Sequence, residues 1–498
     1  MTRPFSQRAS RGTAARQSRR AWRASLRSAY ADNPELGDAI IYFISVIFAV
    51  ITITASGIAL YQQWGKLAVG PFAGGAVASL VLALVVRHRR RAYPAPAAVD
   101  PTSTSTLTSN PAVPTSPTAA APRLPRWRWT ARIVIAVAVF IGATAIPLGL
   151  EVLWRSDGDP GSHVQPEVLT IERGGQAVAK GKDPYHEVTT PNGKTIYHPK
   201  GQPVYEGFLP YLPLMTVFGL PSDRKHDVVL TDARIFFSLA TLLVTAAALW
   251  LCPAGGRRKM RAMQVLAILP TAALPLATGG DDMPVAAFLL LAMVLAQRRQ
   301  PFASGVVLGI VSSMKFTAWP LAALALFAAR NKKGERRPLQ MFLGMLVVAG
   351  PVVVPFALRG PWAFFDNVVL FPLGLSGVNS PAASPLPGHL IVAAFPFLHR
   401  ALPLSVGLVG GALLAWHLWR RPPQTTAQVC ALAGVVMSVI ILLAPATRIG
   451  YLLYPINFFV WAYLFAEIEP NPKSLEVEEP IAAVADGGGA VPILSFSG

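Results

Sequence analysis

The sequence predicts an all-α polytopic membrane protein with about 12 transmembrane helices. Hydrophobic residues make up 53% of the chain and charged residues only 14%, and mean hydropathy is +0.45. That is too little charge to cover a soluble surface of 498 residues. Apolar runs of bilayer length recur along the chain, and within hydrocarbon only helices and closed barrels satisfy their own backbone. The alternating pattern of a barrel strand is absent.

The formal charge of +19 does not signal nucleic acid. Much of it lies in Arg3 to Arg27, in Arg87-His-Arg-Arg-Arg91, and in short basic clusters between apolar runs. Lipid orientation by cytoplasmic Lys and Arg produces this distribution, and anionic lipid attracts it. Nucleic acid is therefore excluded as a partner, and the bilayer itself is the expected one. Cys252 and Cys430 lie in or beside apolar runs and build neither a disulfide framework nor a zinc site. The first apolar run, Ile40 to Leu60, is too long for a cleaved signal peptide.

Residues 1–36 read as a basic cytoplasmic tail and 37–91 as a two-helix membrane hairpin. Residues 92–129, rich in Pro, Ser, Thr and Ala, read as a disordered cytoplasmic linker. A membrane core follows over 130–466, opened by the interfacial Arg126-Trp-Arg-Trp129, and 467–498 is a disordered cytoplasmic tail. The hairpin spans fall near 39–61 and 67–86. The core spans fall near 131–150, 233–251, 263–277, 284–296, 302–313, 318–329, 341–357, 402–418, 427–443 and 451–465. The clusters Arg257-Arg-Lys259, Arg298-Arg299, Arg330 to Arg337 and Arg420-Arg421 all face inside when spans alternate from a cytoplasmic N-terminus. The same alternation puts the loop 151–231, residues 279–283, 359–387 and 444–450 outside, and the C-terminus inside.

Loop 151–231 is the main polar element, and long loops usually carry function. Pro166 and Gly181 bracket a helix within it, with Val168, Ile171 and Val178 on a face suited to the membrane surface. The pair Gly174-Gly175 argues against an unbroken helix. Glu167 falls in the first turn, where the helix dipole favours an ionised carboxylate fit to act as a base, or simply to cap the helix. Asp157, Asp159 and Glu172 compete for that role, and Trp154 to Gly161 also reads as a plain turn. Asp281 and Asp282 mark the tip between two spans, where they would orient a hydroxyl-rich acceptor, bind a divalent cation, or cap a solvated hairpin. No cofactor beyond that open divalent cation is indicated.

Lys315 interrupts the apolar stretch Val306 to Leu326, and intramembrane cations are costly enough to need an anionic ligand, a partner or an interface. Gly305 and Gly309 are spaced for helix packing. Arg448 and Tyr451 share a face if helical, as an interfacial anchor pair or as a phosphate-binding fork. Asp232 and Arg234 form an ion pair at the start of a span, structural or acceptor-binding. His163, His186, His198 and His226 show no metal-ligand spacing and read as polar surface, with His198 the one worth testing.

These residues carry a resemblance. Glu167 through Gly181-Lys-Asp-Pro-Tyr185, followed by Phe208-Leu-Pro-Tyr-Leu-Pro-Leu214, resembles the first extracytoplasmic loop of GT-C membrane glycosyltransferases, in particular glycosyltransferase family 87 of actinobacteria, polyprenyl-phosphate-dependent mannosyltransferase-like proteins. Gly280-Asp-Asp-Met-Pro284, the Gly305-to-Pro320 run and Arg448-Ile-Gly-Tyr-Leu452 resemble later family segments in the same order. The resemblance covers Ala131 to Phe465; Glu167 stands where the family has an Asp, and the N-terminal hairpin lies outside the usual core. It implies transfer of mannose or another hexose or pentose, with inversion, from a polyprenyl-phosphate-linked sugar to a cell-envelope glycolipid or glycan at the extracytoplasmic face of the plasma membrane. Glu167 would be the general base. Lys315, Arg448 and Tyr451 would bind the donor phosphate. Asp281, Asp282, Asp232, Arg234, His198 and Tyr185 would position the acceptor or an ion. A secondary transporter with broken helices and a non-catalytic membrane scaffold are the rival classes.

Overall fold

The computed structural model describes residues 33–92, 125–159, 161–185, 204–222, 229–329, 336–378 and 382–469. The loop residues His186, His198 and His226 lie outside them, as do most of both terminal tails and most of the linker. The helices in chain order are α1 (Pro34–Ala55), α2 (Ala59–Ala92), α3 (Arg126–Asp157), α4 (Pro166–Ala179), α5 (Ala233–Leu251), α6 (Gly256–Thr278) and α7 (Asp282–Gln297). They continue with α8 (Pro301–Ser312), α9 (Trp319–Ala329), α10 (Arg337–Arg359), α11 (Pro387–Ala394), α12 (Leu398–Arg420), α13 (Thr426–Leu443) and α14 (Leu453–Phe465). Eight of them, α1, α2, α3, α5, α6, α10, α12 and α13, are long and apolar enough to cross a membrane. Helices α7, α8, α9 and α14 are apolar but shorter. Every apolar run marked in the sequence falls on a helix, the first overlapping the α1–α2 turn.

The chain divides into two compact units: Met1–Ala179 with Phe218–Leu239 and Gln264–Met283, and Lys180–Val217 with Ala240–Met263 and Pro284–Gly498.

In the first unit the N-terminal hairpin is built into the core rather than tethered to it. Glu35 and Asp38, in the first turns of α1, are buried against Arg128 and Arg132 in the first turns of α3, at 2.8 and 2.6 Å. The Gln264 amide donates to Asp38 and to the Tyr42 hydroxyl at the same end. Helix α3 then widens into a π-turn over Ile141–Ala145. Such a turn leaves backbone groups off the helical ladder. Here the Trp64 indole of α2 donates to the Ala143 carbonyl at 2.9 Å, and the Thr144 hydroxyl donates to Ala267. Pro71 of α2 lies so close to Gly142 that a Cβ there would strike its ring.

At the opposite end of α3, helix α4 closes the unit. It runs unbroken through Gly174-Gly175, contrary to the sequence expectation. Gly175 faces the backbone of Gly219, and a Cβ on either glycine would collide with the other segment. The glycines serve close approach, and tertiary packing outweighs their low helix propensity. Val168 and Ile171 are fully buried and Val178 is half-buried. The expected membrane-surface face is thus interior at its first two positions.

In the second unit Gly305 and Gly309 of α8 meet the backbone of α10 at Met341 and Met345, while Gly344 of α10 meets Phe302. The small-residue spacing serves helix packing, as expected. Helix α14 buries Tyr454, Phe458, Trp461 and Phe465 along one face. Helix α12 buries no residue at all, and its apolar surface faces whatever surrounds the unit.

Candidate active site

The apolar stretch around Lys315 is two short helices with a break between them. Helix α8 stops at Ser312, Lys315 is extended (φ −154°, ψ 143°), and a 3-10 turn Phe316–Ala318 leads into α9. Breaking a helix frees carbonyls, which must find donors where water is scarce. Three consecutive carbonyls do: Ser312 accepts from the Trp319 indole at 3.0 Å, Ser313 from Leu214 N–H at 2.9 Å, and Met314 from Leu212 N–H at 3.0 Å. The Phe208-to-Leu214 motif is therefore a backbone splint on the break. Asn367, fully buried, holds the motif's other end by accepting from Leu209 N–H at 2.8 Å.

The splint also sets the environment of Lys315. Its Nζ lies 5.3 Å from the Tyr211 ring centroid and 5.5 Å from that of Tyr451, so the ammonium sits between two phenol faces. Lys315 is 8% exposed. Arg448 caps the 3-10 turn Ile449–Leu452, its carbonyl accepting from Tyr451 N–H at 3.0 Å. Two residues past Lys315, the Thr317 hydroxyl meets the Tyr454 hydroxyl at 2.6 Å. The second unit thus brings Lys315, Tyr451 and the Arg448 turn together. Tyr185 stands beside them as support: its hydroxyl donates to the Tyr211 carbonyl at 2.8 Å, and its ring packs edge-on against Phe364 at 5.0 Å. Burial, then the nearby Asp183 carboxylate, raises the Tyr185 phenol well above its ordinary value. It remains a neutral donor.

The candidate acids belong to the first unit. Glu167 is half-buried in the first turn of α4, where the sequence placed it. The start of α4 is pinned to the end of α6: Gln165 N–H donates to the Thr278 carbonyl at 3.2 Å and its amide to the Thr278 hydroxyl at 2.5 Å. Gly279, at φ +110°, lies against Val168, so the turn carrying Asp281 and Asp282 adjoins the start of α4. Both aspartates are buried, at 3% and 7% exposure, and not at a solvated tip. Among the described residues no group of three or more His, Cys, Asp or Glu is placed to hold a metal ion.

Glu172, Asp232 and Arg234 share one buried cluster with Arg155, which the sequence reading passed over. Arg155 grips both carboxylate oxygens of Glu172 at 3.0 and 2.6 Å, and Asp232 at 2.8 Å. Glu172 also accepts from Ala233 N–H at 3.2 Å, capping α5. Arg234 pairs with Asp232 at 2.7 Å. Burial pushes the Asp232 carboxyl up, but Arg234 and Arg155 outweigh it and hold it below the usual carboxylate value. A carboxylate clamped in this way is a poor base. The exposed Asp159 builds a turn, accepting Gly161 N–H at 3.1 Å, while Asp157 is exposed at the end of α3. The signal for Arg155 and for Glu151, one helical turn before it, was charge on the helical continuation just past an apolar span.

The second unit thus holds short apolar helices broken at Lys315, whose ammonium lies between two aromatic rings, in a chain with eight helices long and apolar enough to cross a membrane. Residues 208–445, just under half of the chain, match the family model of Glycosyltransferase family 87, the family the sequence resembles. The matched segment includes the splint, Lys315, Asp232, Arg234, Asp281 and Asp282. No curated protein and no solved structure matches the chain.

Proposed function

We propose that this protein is a glycosyltransferase that moves a sugar, mannose or a related hexose or pentose, from a polyprenyl-phosphate donor to a glycolipid or glycan acceptor of the cell envelope. The reaction takes place at the extracytoplasmic face of the plasma membrane, with both termini cytoplasmic. The observation that carries the reading is Lys315, lodged at a splinted helix break between Tyr211 and Tyr451. An extended backbone at membrane depth is stable only in such a protein-lined site, and the ammonium there suits a lipid-linked phosphate.

In the proposed reaction the acceptor oxygen forms its bond to the anomeric carbon as the bond from that carbon to the phosphate oxygen breaks. The electron pair leaves with the polyprenyl phosphate, whose charge Lys315 and Arg448 balance. Glu167 takes the acceptor proton. Asp281 and Asp282 orient the acceptor beside the start of α4. Glu172, Asp232 and Arg234 hold α4 and α5 in place.

The test is incubation of purified protein in nanodiscs with polyprenyl-phosphate mannose and a cell-envelope glycolipid extract. A labelled glycolipid should form and should vanish in Glu167→Gln. Product formation that survives Glu167→Gln but not Asp157→Asn or Asp159→Asn would reassign the base. No product with any polyprenyl-phosphate sugar would remove the donor class. The helix break also suits a transporter; solute uptake by proteoliposomes free of lipid-linked sugar would favour that rival.

A further inference from the structure

Four buried acids of the first unit, Glu35, Asp38, Glu172 and Asp232, are each paired with arginine. Glu151 is paired with a histidine instead. It is fully buried near the end of α3, and its Oε2 lies 3.0 Å from Nδ1 of His163. Its Oε1 has no hydrogen-bond partner among the described residues. Guanidinium keeps its charge at all working pH, whereas imidazole gains and loses a proton in the neutral range. A carboxylate set against imidazole therefore makes a pair that takes up a proton without building net buried positive charge.

The histidine is held in place with care. His163 has φ +56°, a left-handed conformation that costs a non-glycine residue energy and persists only where surroundings impose it. Asp159 imposes part of it, its carbonyl accepting from Ser162 N–H at 2.8 Å and from the Ser162 hydroxyl at 2.7 Å. Arg234 imposes more, donating to the His163 carbonyl at 2.6 Å and to the Glu151 carbonyl at 3.4 Å. The Trp154 ring flanks the imidazole at 5.5 Å. With Nδ1 engaged by Glu151, Nε2 is the ring nitrogen left for proton exchange, and the side chain is 28% exposed. The charged group facing Glu151 besides His163 is Arg234 from α5, itself bound to Asp232.

We propose that His163, oriented by Glu151, is the proton acceptor behind the catalytic base. This rests on the glycosyl-transfer reading above. His163 lies four residues before Glu167, a separation of at most about 14 Å between Cα atoms. The acceptor hydroxyl proton passes to Glu167, then through water to Nε2 of His163, giving an imidazolium balanced by the Glu151 carboxylate. From the exposed ring it leaves to bulk water, restoring both groups. Glu151 is a positioning residue, fixing the Nδ1–H tautomer so that Nε2 is the basic nitrogen.

The test uses the full chain in nanodiscs, with His163→Asn and Glu151→Gln. Asparagine tolerates the left-handed backbone, so the turn survives while the proton acceptor is lost. Wild-type turnover should fall on the acid side as the proton acceptor is lost. His163→Asn should lower kcat by about a hundredfold with KM little changed, and should abolish that acid limb. Glu151→Gln should lower kcat with KM little changed, because the imidazole loses the carboxylate that orients it. Nitrogen-15 histidine spectra give a readout independent of activity: one Nδ1-protonated imidazole should be present in wild type and lost in both variants. Turnover and pH profile unchanged in His163→Asn would overturn the proposal, as would spectra lacking the Nδ1–H tautomer. If wild type transfers no sugar, the donor reading fails by itself, and the spectra still decide whether the pair exists.

Discussion

At the scale of single residues, two electrostatic environments divide the work. In the first unit, arginines neutralise acids, and breaking one such buried pair leaves an unmatched charge. Arg155→Met should destabilise the protein by about 3–5 kcal/mol, read from thermal unfolding in detergent. Asp232 gives a pH signature. Its folded carboxyl is held below 3.8, so the pair's stabilisation is complete above that value and is lost as pH falls through the lower folded value. Wild-type melting temperature should drop on that acid side, and Asp232→Asn should be less stable at neutral pH with a flatter acid decline. Lys315→Met, in contrast, should leave melting nearly unchanged and lower kcat about 100- to 1000-fold, the range for losing one preorganised charge at a developing anion. Equal activity in Lys315→Met would assign the lysine to packing alone.

At the scale of elements, close backbone approach and helix breaks matter more than propensity. Gly174-Gly175 weakens α4 as an isolated helix, yet the same missing Cβ lets it meet Gly219. Gly175→Leu should therefore detach α4 and expose it to proteolysis, whereas Gly407→Leu on α12, with nothing near its Cβ position, should be silent. The hairpin gives a second case. Glu35→Arg and Arg128→Glu should each impair folding, and their combination should restore part of the yield, because the bidentate pair is re-formed with its partners exchanged. A double variant no better than either single would show that the pair contributes nothing specific.

At the scale of the whole molecule, the first turns of α1 and α3 meet through two ion pairs, so both helices enter the membrane from one face. That is what alternating spans from a common side require. In a chain with Cys252 and Cys430 replaced, Asp157→Cys should label with an impermeant thiol reagent from outside intact cells, and Gln300→Cys only after permeabilisation. The reverse pattern would invert the orientation and move the acid face to the cytosol.

Hydropathy alone located the helices, because a lipid solvent leaves the backbone few other options. Sequence also located Lys315, Glu167 and the Asp232–Arg234 pair, because charge beside apolar spans is conspicuous when every neighbour is Leu, Val or Ala. Tertiary structure decided what each charge touches. Arg155 selects Glu172 and Asp232 from positions 17 and 77 residues away, the Phe208-to-Leu214 motif becomes a splint only once the helix at Lys315 opens, and His163 acquires Glu151 only through a left-handed turn. Such partners are set by geometry between distant segments, and local pattern holds no record of it.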